Sequence, residues 1–246
     1  MVKVYDLLCY RFIDRFYEQK VYVVNKTEYE IQNEGHAYSA LCDAGLWGKA
    51  VPKYMGSWTM TLADPTAPGK DLQAHLILME CIEGVLMSEV PVKDLSDATK
   101  KAIMVKVMEA RTDVSLAGVS HRDFEPYNII MPEDYESLCM STSNQNSPLR
   151  VCLIDFVLSY VEGTECFERK NCLCRTCIAR RNPNPLYFWA GMNSYSQYGW
   201  LPDQDEAPNW MWSICGKPTK EQYLPAKRDK ASPLDRPLRP DFGRAE

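Results

Sequence analysis

The sequence of 246 residues lacks the features of several large classes of protein. It has no run of about 18 apolar residues, so no membrane-spanning helix is expected. It has no basic excess, because its formal net charge is −5, and such a charge gives no support to nucleic-acid binding. Lys3 and Asp6 interrupt the apolar start, so a secretory signal is not expected either. We therefore expect an intracellular protein, cytoplasmic or nuclear, without a membrane or nucleic-acid partner.

The cysteine content favours reduced thiols over a disulfide framework. With 46% hydrophobic residues the chain is able to bury a substantial core, so its ten cysteines are not needed as staples. Four of them lie close together: Cys166, Cys172, Cys174 and Cys177. Only the last two have the pair spacing that structural zinc sites favour, so a mobile, reduced loop is preferred to a zinc site. A zinc-stabilised interaction protein stays open as an alternative.

Local patterns predict a mixture of strands and helices. Alternating and apolar runs indicate strands at 1–5, 51–62, 74–79, 128–131 and 151–156, and helical spacing indicates helices at 27–44 and 96–116. The segment 132–150 is polar and is expected to be a mobile loop. Trp189, Trp200, Trp210 and Trp212 are expected to pack a core rather than to form a substrate platform.

The most informative stretch runs from His121 to Asn128 and is followed by an apolar segment that ends at Asp155 and Phe156. Asp123 precedes Asn128 by five residues, and Asp155 closes the second segment. A carboxylate near a reacting hydroxyl orients it and accepts its proton. Magnesium prefers hard oxygen ligands of the kind that Asn128 and Asp155 supply. Together these residues fit the transfer of a phosphoryl group.

These motifs resemble H-R-D-x-x-x-x-N and D-F-G of protein kinases, except that Val157 stands in place of the glycine. The chain thus resembles the protein kinase-like superfamily, including small fungal kinase-like and aminoglycoside phosphotransferase-like proteins. The resemblance implies that ATP and Mg²⁺ are bound, that Asp123 is the catalytic residue, and that Asn128 and Asp155 are the metal ligands. The acceptor would be a hydroxyl, either of a protein Ser or Thr or of a small molecule.

The same resemblance implies a nucleotide site built from earlier residues. Lys3 looks like the lysine that holds the α- and β-phosphates, and Glu34 looks like its helical partner. The segment 76–84 looks like the hinge, in which backbone groups of Glu80 and Ile82 would contact the adenine and Met79 would form its back wall.

The implied fold is α+β, a two-lobe kinase-like fold with an incomplete N-terminal sheet and a reduced, mostly helical C-terminal lobe. The N-terminal lobe would comprise 1–82 and the C-terminal lobe 83–223, with a poorly ordered tail at 224–246. No G-x-G-x-x-G loop precedes Lys3 and no A-P-E motif follows Asp155. The resemblance therefore predicts a chain truncated at its N-terminus. An active phosphotransferase is the leading hypothesis, and a catalytically impaired pseudokinase that acts as a scaffold is the alternative.

Overall fold

A computed structural model describes residues 1–5, 22–63, 71–140, 149–162, 184–188, 192–203 and 205–217. Within these ranges the chain is a mixture of helices and small antiparallel sheets. In chain order its helices and strands are β1 (Val2–Tyr5), α1 (Val23–Asp43), β2 (Tyr54–Ala63), β3 (Asp71–Met79), β4 (Val85–Leu86), α2 (Asp97–Leu116), β5 (Val119–Ser120), β6 (Ile129–Met131), α3 (Tyr135–Met140), β7 (Cys152–Leu153), β8 (Tyr160–Val161), α4 (Asn193–Gln197) and α5 (Ala207–Cys215). No helix in these ranges is both long and apolar enough to cross a membrane.

The first sheet has the order β1-β3-β2, with both neighbours antiparallel to β3. Lys3 pairs with Ile77 across the ladder. Cross-strand partners leave a sheet on the same face, so Lys3 lies on the face that buries Ile77 completely. Alternate residues of β1 and β2, such as Val4 and Trp58, are exposed on the opposite face. This face alternation directs the charged end of Lys3 towards the interior of the molecule.

Helix α1 is held by tertiary packing rather than by its ends. Its N-terminal boundary has no side-chain cap and no acidic residue in the first turn. Ala37, Tyr38 and Leu41 are buried at helical spacing. Glu34 continues this buried stripe although it is charged. A charge on the buried face of a helix needs partners, and these come from β1 and from the segment after β7.

Helix α2 is the central helix of the second part of the chain. It begins after Ser96, whose Oγ accepts a hydrogen bond from the backbone N–H of Thr99 at 3.1 Å. Ile103, Val107 and Val114 are buried along one side of it. The short strands β4, β6 and β7 form a second sheet, and β5 pairs with β8. These short sheets carry the two loops that contain the candidate site.

Two glycines permit the turn that ends α1 and the connection that leads into the second sheet. Gly45 ends α1 with φ at 71°, a left-handed conformation that favours glycine. Gly84 precedes β4 with φ at 153°. A Cβ at Gly84 would lie 2.1 Å from the carbonyl oxygen of Met131, so a side chain there would push β4 away from β6.

The structure confirms most of the predicted elements and changes several boundaries. Strand β2 begins at Tyr54 rather than at position 51, and β3 begins at Asp71 rather than at position 74. Helix α1 begins four residues earlier than position 27, because Val23 to Lys26 continue the same turn pattern. The segment 132–150 is not a loop throughout, since α3 occupies its first part. The predicted strand 151–156 shrinks to β7, because Asp155 adopts φ of 63° and cannot continue a ladder.

Three of the four predicted aromatic packing positions are also confirmed. Trp200 is fully buried and donates its indole N–H to the carbonyl oxygen of Met87 at 3.0 Å. Trp210 and Trp212 pack partly buried against the core. Trp189, the cysteine-rich segment 166–177, residues 64–70 and residues 224–246 lie outside the described residues.

Candidate functional site

The backbone between Asp123 and Asn128 folds back on itself through a short 3₁₀ turn. The N–H of Glu125 donates to the carbonyl oxygen of Asp123 at 3.0 Å, and the N–H of Asn128 donates to that of Glu125 at 2.9 Å. Pro126 begins the turn, where a missing N–H costs nothing and the fixed φ suits the conformation. This local folding returns Asn128 to the side of Asp123.

The side chains of Asp123, Tyr127 and Asn128 form what we term the loop cluster. Asn128 Nδ2 donates to Asp123 Oδ2 at 2.9 Å and to the carbonyl oxygen of Asp123 at 3.0 Å. Both partner atoms only accept, so the amide nitrogen must face them, and the amide oxygen faces away. Tyr127 donates its hydroxyl to Asp123 Oδ1 at 2.9 Å. Both oxygens of the carboxylate therefore have a donor.

Asp155, Lys3 and Glu34 form a second group, the ion cluster. Lys3 Nζ lies 2.9 Å from Glu34 Oε2 and 2.7 Å from Asp155 Oδ1. The Glu34 side chain is fully buried, whereas 40% of the Asp155 side chain is exposed. One ammonium group thus joins a buried carboxylate to one that faces solvent.

The two carboxylates keep Lys3 protonated. Burial acts to lower the pKa of Lys3, but the charges and hydrogen bonds of Glu34 and Asp155 outweigh it, and the pKa is raised from 10.5. At neutral pH the side chain is therefore a cation. A cation held next to an exposed carboxylate suits the binding of a phosphate and its metal ion.

Glu34 has further partners that hold it in place. Tyr5 donates its hydroxyl to Glu34 Oε2, and the N–H of Phe156 donates to Glu34 Oε1 at 3.3 Å. The ring of Phe156 is fully buried and packs edge-on against Tyr38 of α1. Helix α1 and the segment after β7 are therefore joined by both a hydrogen bond and an aromatic contact.

Arg122 and Asp155 are the non-glycine residues with positive φ among those described, at 64° and 63°. One lies beside Asp123 and the other belongs to the ion cluster. A left-handed conformation is costly for residues other than glycine, and asparagine and aspartate tolerate it best. The guanidinium of Arg122 lies 4.3 Å from the ring centre of Tyr160, which helps to hold that turn. Val157 has no positive φ, so the conformation here does not require the glycine that the resemblance leads one to expect.

Backbone bonds connect the loop cluster with the segment that carries Asp155. The N–H of Ile154 donates to the carbonyl oxygen of Asn128 at 3.0 Å. His121 Nε2 lies 2.9 Å from the carbonyl oxygen of Ile154. A carbonyl only accepts, so Nε2 carries the proton; burial lowers the pKa of His121, which favours this neutral form. The pairing of β6 with β7 continues the connection.

The predicted hinge residues are Met79, which ends β3, and Glu80 and Ile82, which lie between β3 and β4. Met79 is buried, and its sulfur accepts a hydrogen bond from the hydroxyl of Tyr38 at 3.8 Å. The N–H of Glu80 donates to the carbonyl oxygen of Lys53 at 2.8 Å, so the backbone group of Glu80 available to an adenine is its carbonyl. Ile82 is half-buried. The structure does not test the contacts with a nucleotide, and these assignments stay predictions.

Arg150 ties the hinge to the second sheet. Its guanidinium binds both oxygens of Glu80, at 3.0 Å and 3.1 Å, and its Nε donates to the carbonyl oxygen of Lys49 at 2.9 Å. The hydrogen bonds from Arg150 are the main reason why the pKa of Glu80 is lowered from 4.5, although partial desolvation acts the other way. The connection fixes the hinge against the strand that leads to Asp155.

The oxygen donors of the site fit Mg²⁺. Asn128 offers its amide oxygen and Asp155 its partly exposed carboxylate, both of which are hard ligands. The described residues contain no group of three or more His, Cys, Asp and Glu side chains suited to a metal ion. Mg²⁺ in phosphoryl-transfer sites commonly takes one or two protein carboxylates together with substrate phosphates, so this small donor set is adequate.

Three residues of the site were not predicted from the sequence. Tyr127 lies inside the motif at a position that carries no expected chemistry. Tyr5 shares the face of Lys3 two residues away, and the alternation of β1 was a usable signal for it. Arg150 lies 70 residues from Glu80, and no local pattern indicates that contact.

Comparisons with known proteins found little beyond partial structural likeness. No family model matches the chain, and no curated protein matches it. A structure of WaaP in complex with acyl carrier protein is 20% identical over 53% of this chain and 49% of that one, with a TM-score of 0.37. The bifunctional kinase-methyltransferase WbdD is 16% identical over 65% of this chain and 28% of that one, with a TM-score of 0.39. The chain thus spans half or less of each, and likeness at these TM-scores carries no argument about its activity.

Proposed function

We propose that the protein is an ATP-dependent phosphotransferase of the protein kinase-like fold that moves the γ-phosphoryl group to a hydroxyl acceptor. The observation that carries this proposal is the ion cluster, in which Lys3 contacts Glu34 at 2.9 Å and Asp155 at 2.7 Å. The hydrogen bond from Ile154 to Asn128 connects it to the loop cluster. A cation, a metal-binding carboxylate and a candidate base are the parts that such a reaction requires.

Each residue has a defined part in the proposed reaction. Lys3, kept protonated by Glu34, binds the α- and β-phosphates, and Asn128 and Asp155 hold Mg²⁺ through their oxygens. The metal ion, when bound, neutralises the charge of the phosphates. Asp123 orients the acceptor hydroxyl and receives its proton. Met79, Glu80 and Ile82 contact the adenine.

The proposed arrangement has two lobes with the nucleotide between them. The first sheet and α1, within residues 1–82, form the N-terminal lobe, and residues 83–223 form the C-terminal lobe around α2. Glu80 lies in the segment that connects the two proposed lobes. Arg150, just before β7, binds both of its carboxylate oxygens and so holds this connecting segment against the second part. The acceptor is the hydroxyl of a protein Ser or Thr or of a small molecule.

A nucleotide-binding assay tests the proposal. MgATP at about a hundred times its Kd is expected to raise the Tm of the full chain by about 5 °C, because it binds the folded state alone. Asp155→Ala is expected to abolish the rise, because it removes a metal ligand. Asp94→Ala, which changes an exposed aspartate outside both clusters, is the matched control and should keep the rise. Absence of a rise in the parent protein would refute the proposed function.

A pseudokinase that acts as a scaffold is the second candidate. It is favoured by the direct contact of Lys3 with Asp155, because a metal ion must compete with the ammonium group for that carboxylate. If this candidate is right, MgATP will not change the Tm of the parent protein. Lys3→Met will then lower the Tm by the same amount with and without MgATP. Turnover of ATP that depends on Asp123 would exclude it.

A further inference from the structure

The two donors to Asp123 differ in how firmly they are held. Asn128 is buried and makes two hydrogen bonds to the same residue, one to the carboxylate and one to the carbonyl. Tyr127 makes one bond, at 2.9 Å to Oδ1, and 45% of it is exposed. A single bond from a partly exposed side chain is exchanged for another donor at small cost. The Oδ1 side of Asp123 is therefore the side that an incoming hydroxyl reaches more easily.

The hydrogen-bond donor on the Oδ1 side, Tyr127, carries a hydroxyl, which is the same kind of group as the proposed phosphoryl acceptor. Tyr127 presents an O–H to the carboxylate that receives the acceptor's proton in the proposed function. A tyrosine hydroxyl ordinarily has a pKa of about 10, so it is protonated at neutral pH and donates, as the bond to Asp123 Oδ1 at 2.9 Å shows. A molecule of water or an acceptor hydroxyl needs the same oxygen of the same carboxylate.

We propose that Tyr127 is a guard of the acceptor position, whose hydroxyl occupies Asp123 Oδ1 until an acceptor hydroxyl displaces it. The inference rests on the proposed function and adds a regulatory contact to the same site. Tyr127 acts through Asp123, so it is a positioning residue rather than a catalytic one. Its role is to keep water away from Asp123 while MgATP is bound and no acceptor is present.

The reaction that the guard suppresses is the hydrolysis of ATP. In that reaction the oxygen of water bonds to the γ-phosphorus while the bond from that phosphorus to the β–γ bridging oxygen breaks. The proton of water passes to Asp123, and ADP leaves with the electron pair of the broken bond. Water competes with Tyr127 for this carboxylate oxygen, and the rate of hydrolysis falls with the fraction of time that Tyr127 occupies it.

The variant Tyr127→Phe removes the hydroxyl and keeps the ring. Phosphate release from MgATP, measured on the full chain without any added acceptor, is expected to rise about threefold to tenfold, the range that corresponds to losing one competing hydrogen bond. The MgATP-induced rise in Tm should stay the same. Tyr198→Phe is the matched control, since Tyr198 is another partly exposed tyrosine, and its release rate should match that of the parent protein.

The outcomes separate this inference from the proposed function. An unchanged release rate, with the rise in Tm retained, would contradict the proposed role of Tyr127 but would not contradict the proposed phosphotransferase activity. A lowered release rate would also overturn it, because Tyr127 would then orient Asp123 for the reaction. Phosphate found on Tyr127 by mass spectrometry would overturn it as well, because the residue would then be an acceptor. Loss of the Tm response in every variant would remove the proposed function itself.

Discussion

The loop cluster and the ion cluster each hold a carboxylate in place, Asp123 in the first and Asp155 in the second, but they do so with different contacts. The loop cluster draws Asp123, Tyr127 and Asn128 from one short turn, and its contacts are hydrogen bonds between near neighbours. The ion cluster joins Lys3 to a carboxylate 152 residues away and to a second one on α1. The loop cluster depends on the backbone hydrogen bonds of a single turn. The ion cluster exists only when β1, α1 and the segment after β7 have all packed together. The geometry of the loop cluster is thus held locally, and the charges of the ion cluster are held together by the whole fold.

This difference predicts that the largest effect on rate comes from the loop cluster. Asp123→Ala is expected to lower the rate of the proposed phosphoryl transfer by about a hundredfold to ten-thousandfold, because it removes the group proposed to receive the proton. Its free energy of unfolding should fall by only about 1 kcal/mol, since Asn128 keeps its bond to the carbonyl oxygen of residue 123. Initial rates and urea unfolding measure the two quantities.

The control for that substitution is Asp94→Ala, which should leave both rate and stability as in the parent protein. Retained turnover in Asp123→Ala would rule out its assigned role. A loss of stability as large as that of the Glu34 variant described next would contradict the view that the loop cluster is held locally.

The largest effect on stability should come from the ion cluster. Glu34→Ala leaves Lys3 with one partner and removes the bonds from Tyr5 and Phe156, so the free energy of unfolding is expected to fall by about 3 kcal/mol. Urea unfolding followed by circular dichroism measures it. Glu28→Ala on the exposed side of the same helix is the matched control and should change stability by less than about 0.5 kcal/mol. Equal effects of the two substitutions would show that the ion cluster contributes no stability.

A smaller, pH-dependent effect tests the contact between Arg150 and Glu80, which connects the hinge to the strand that leads to Asp155. Because Arg150 lowers the pKa of Glu80 in the folded state, ionised Glu80 stabilises the fold above pH 4.5. Glu80→Gln should cost about 1 kcal/mol at pH 7, since the pair is only partly buried. The difference from the parent protein should shrink as the pH falls below 4.5 and passes through the lowered pKa.

The matched control for the hinge is Glu83→Gln, an exposed glutamate in the same connection. Its free energy of unfolding should follow that of the parent protein at every pH. A difference between Glu80→Gln and the parent that persisted unchanged at pH 3 would contradict a contribution from the ionised carboxylate.

The structure brings together residues that the sequence had singled out, although their roles stay predictions and not all of their contacts were predicted. Asp123, Asn128 and Asp155 were selected by their spacing, and the structure connects them through the bond from Ile154 to Asn128. Lys3 and Glu34 were selected by resemblance, and they are found in contact. The additional contact of Lys3 with Asp155 was not predicted, because it depends on the positive φ that turns Asp155 out of the strand.

What the sequence alone determined about this protein is therefore the local part of it: α2 with its Ser96 cap, the alternation of β1, and the turn at Pro126 that returns Asn128 to Asp123. These features depend on neighbours along the chain, whose bonds and steric limits can be read from residue type. Only the tertiary structure decided that Arg150 holds Glu80 and that Lys3 contacts Asp155. Those contacts depend on how separate segments pack and on which side chain competes best for a carboxylate, and no local pattern carries that information.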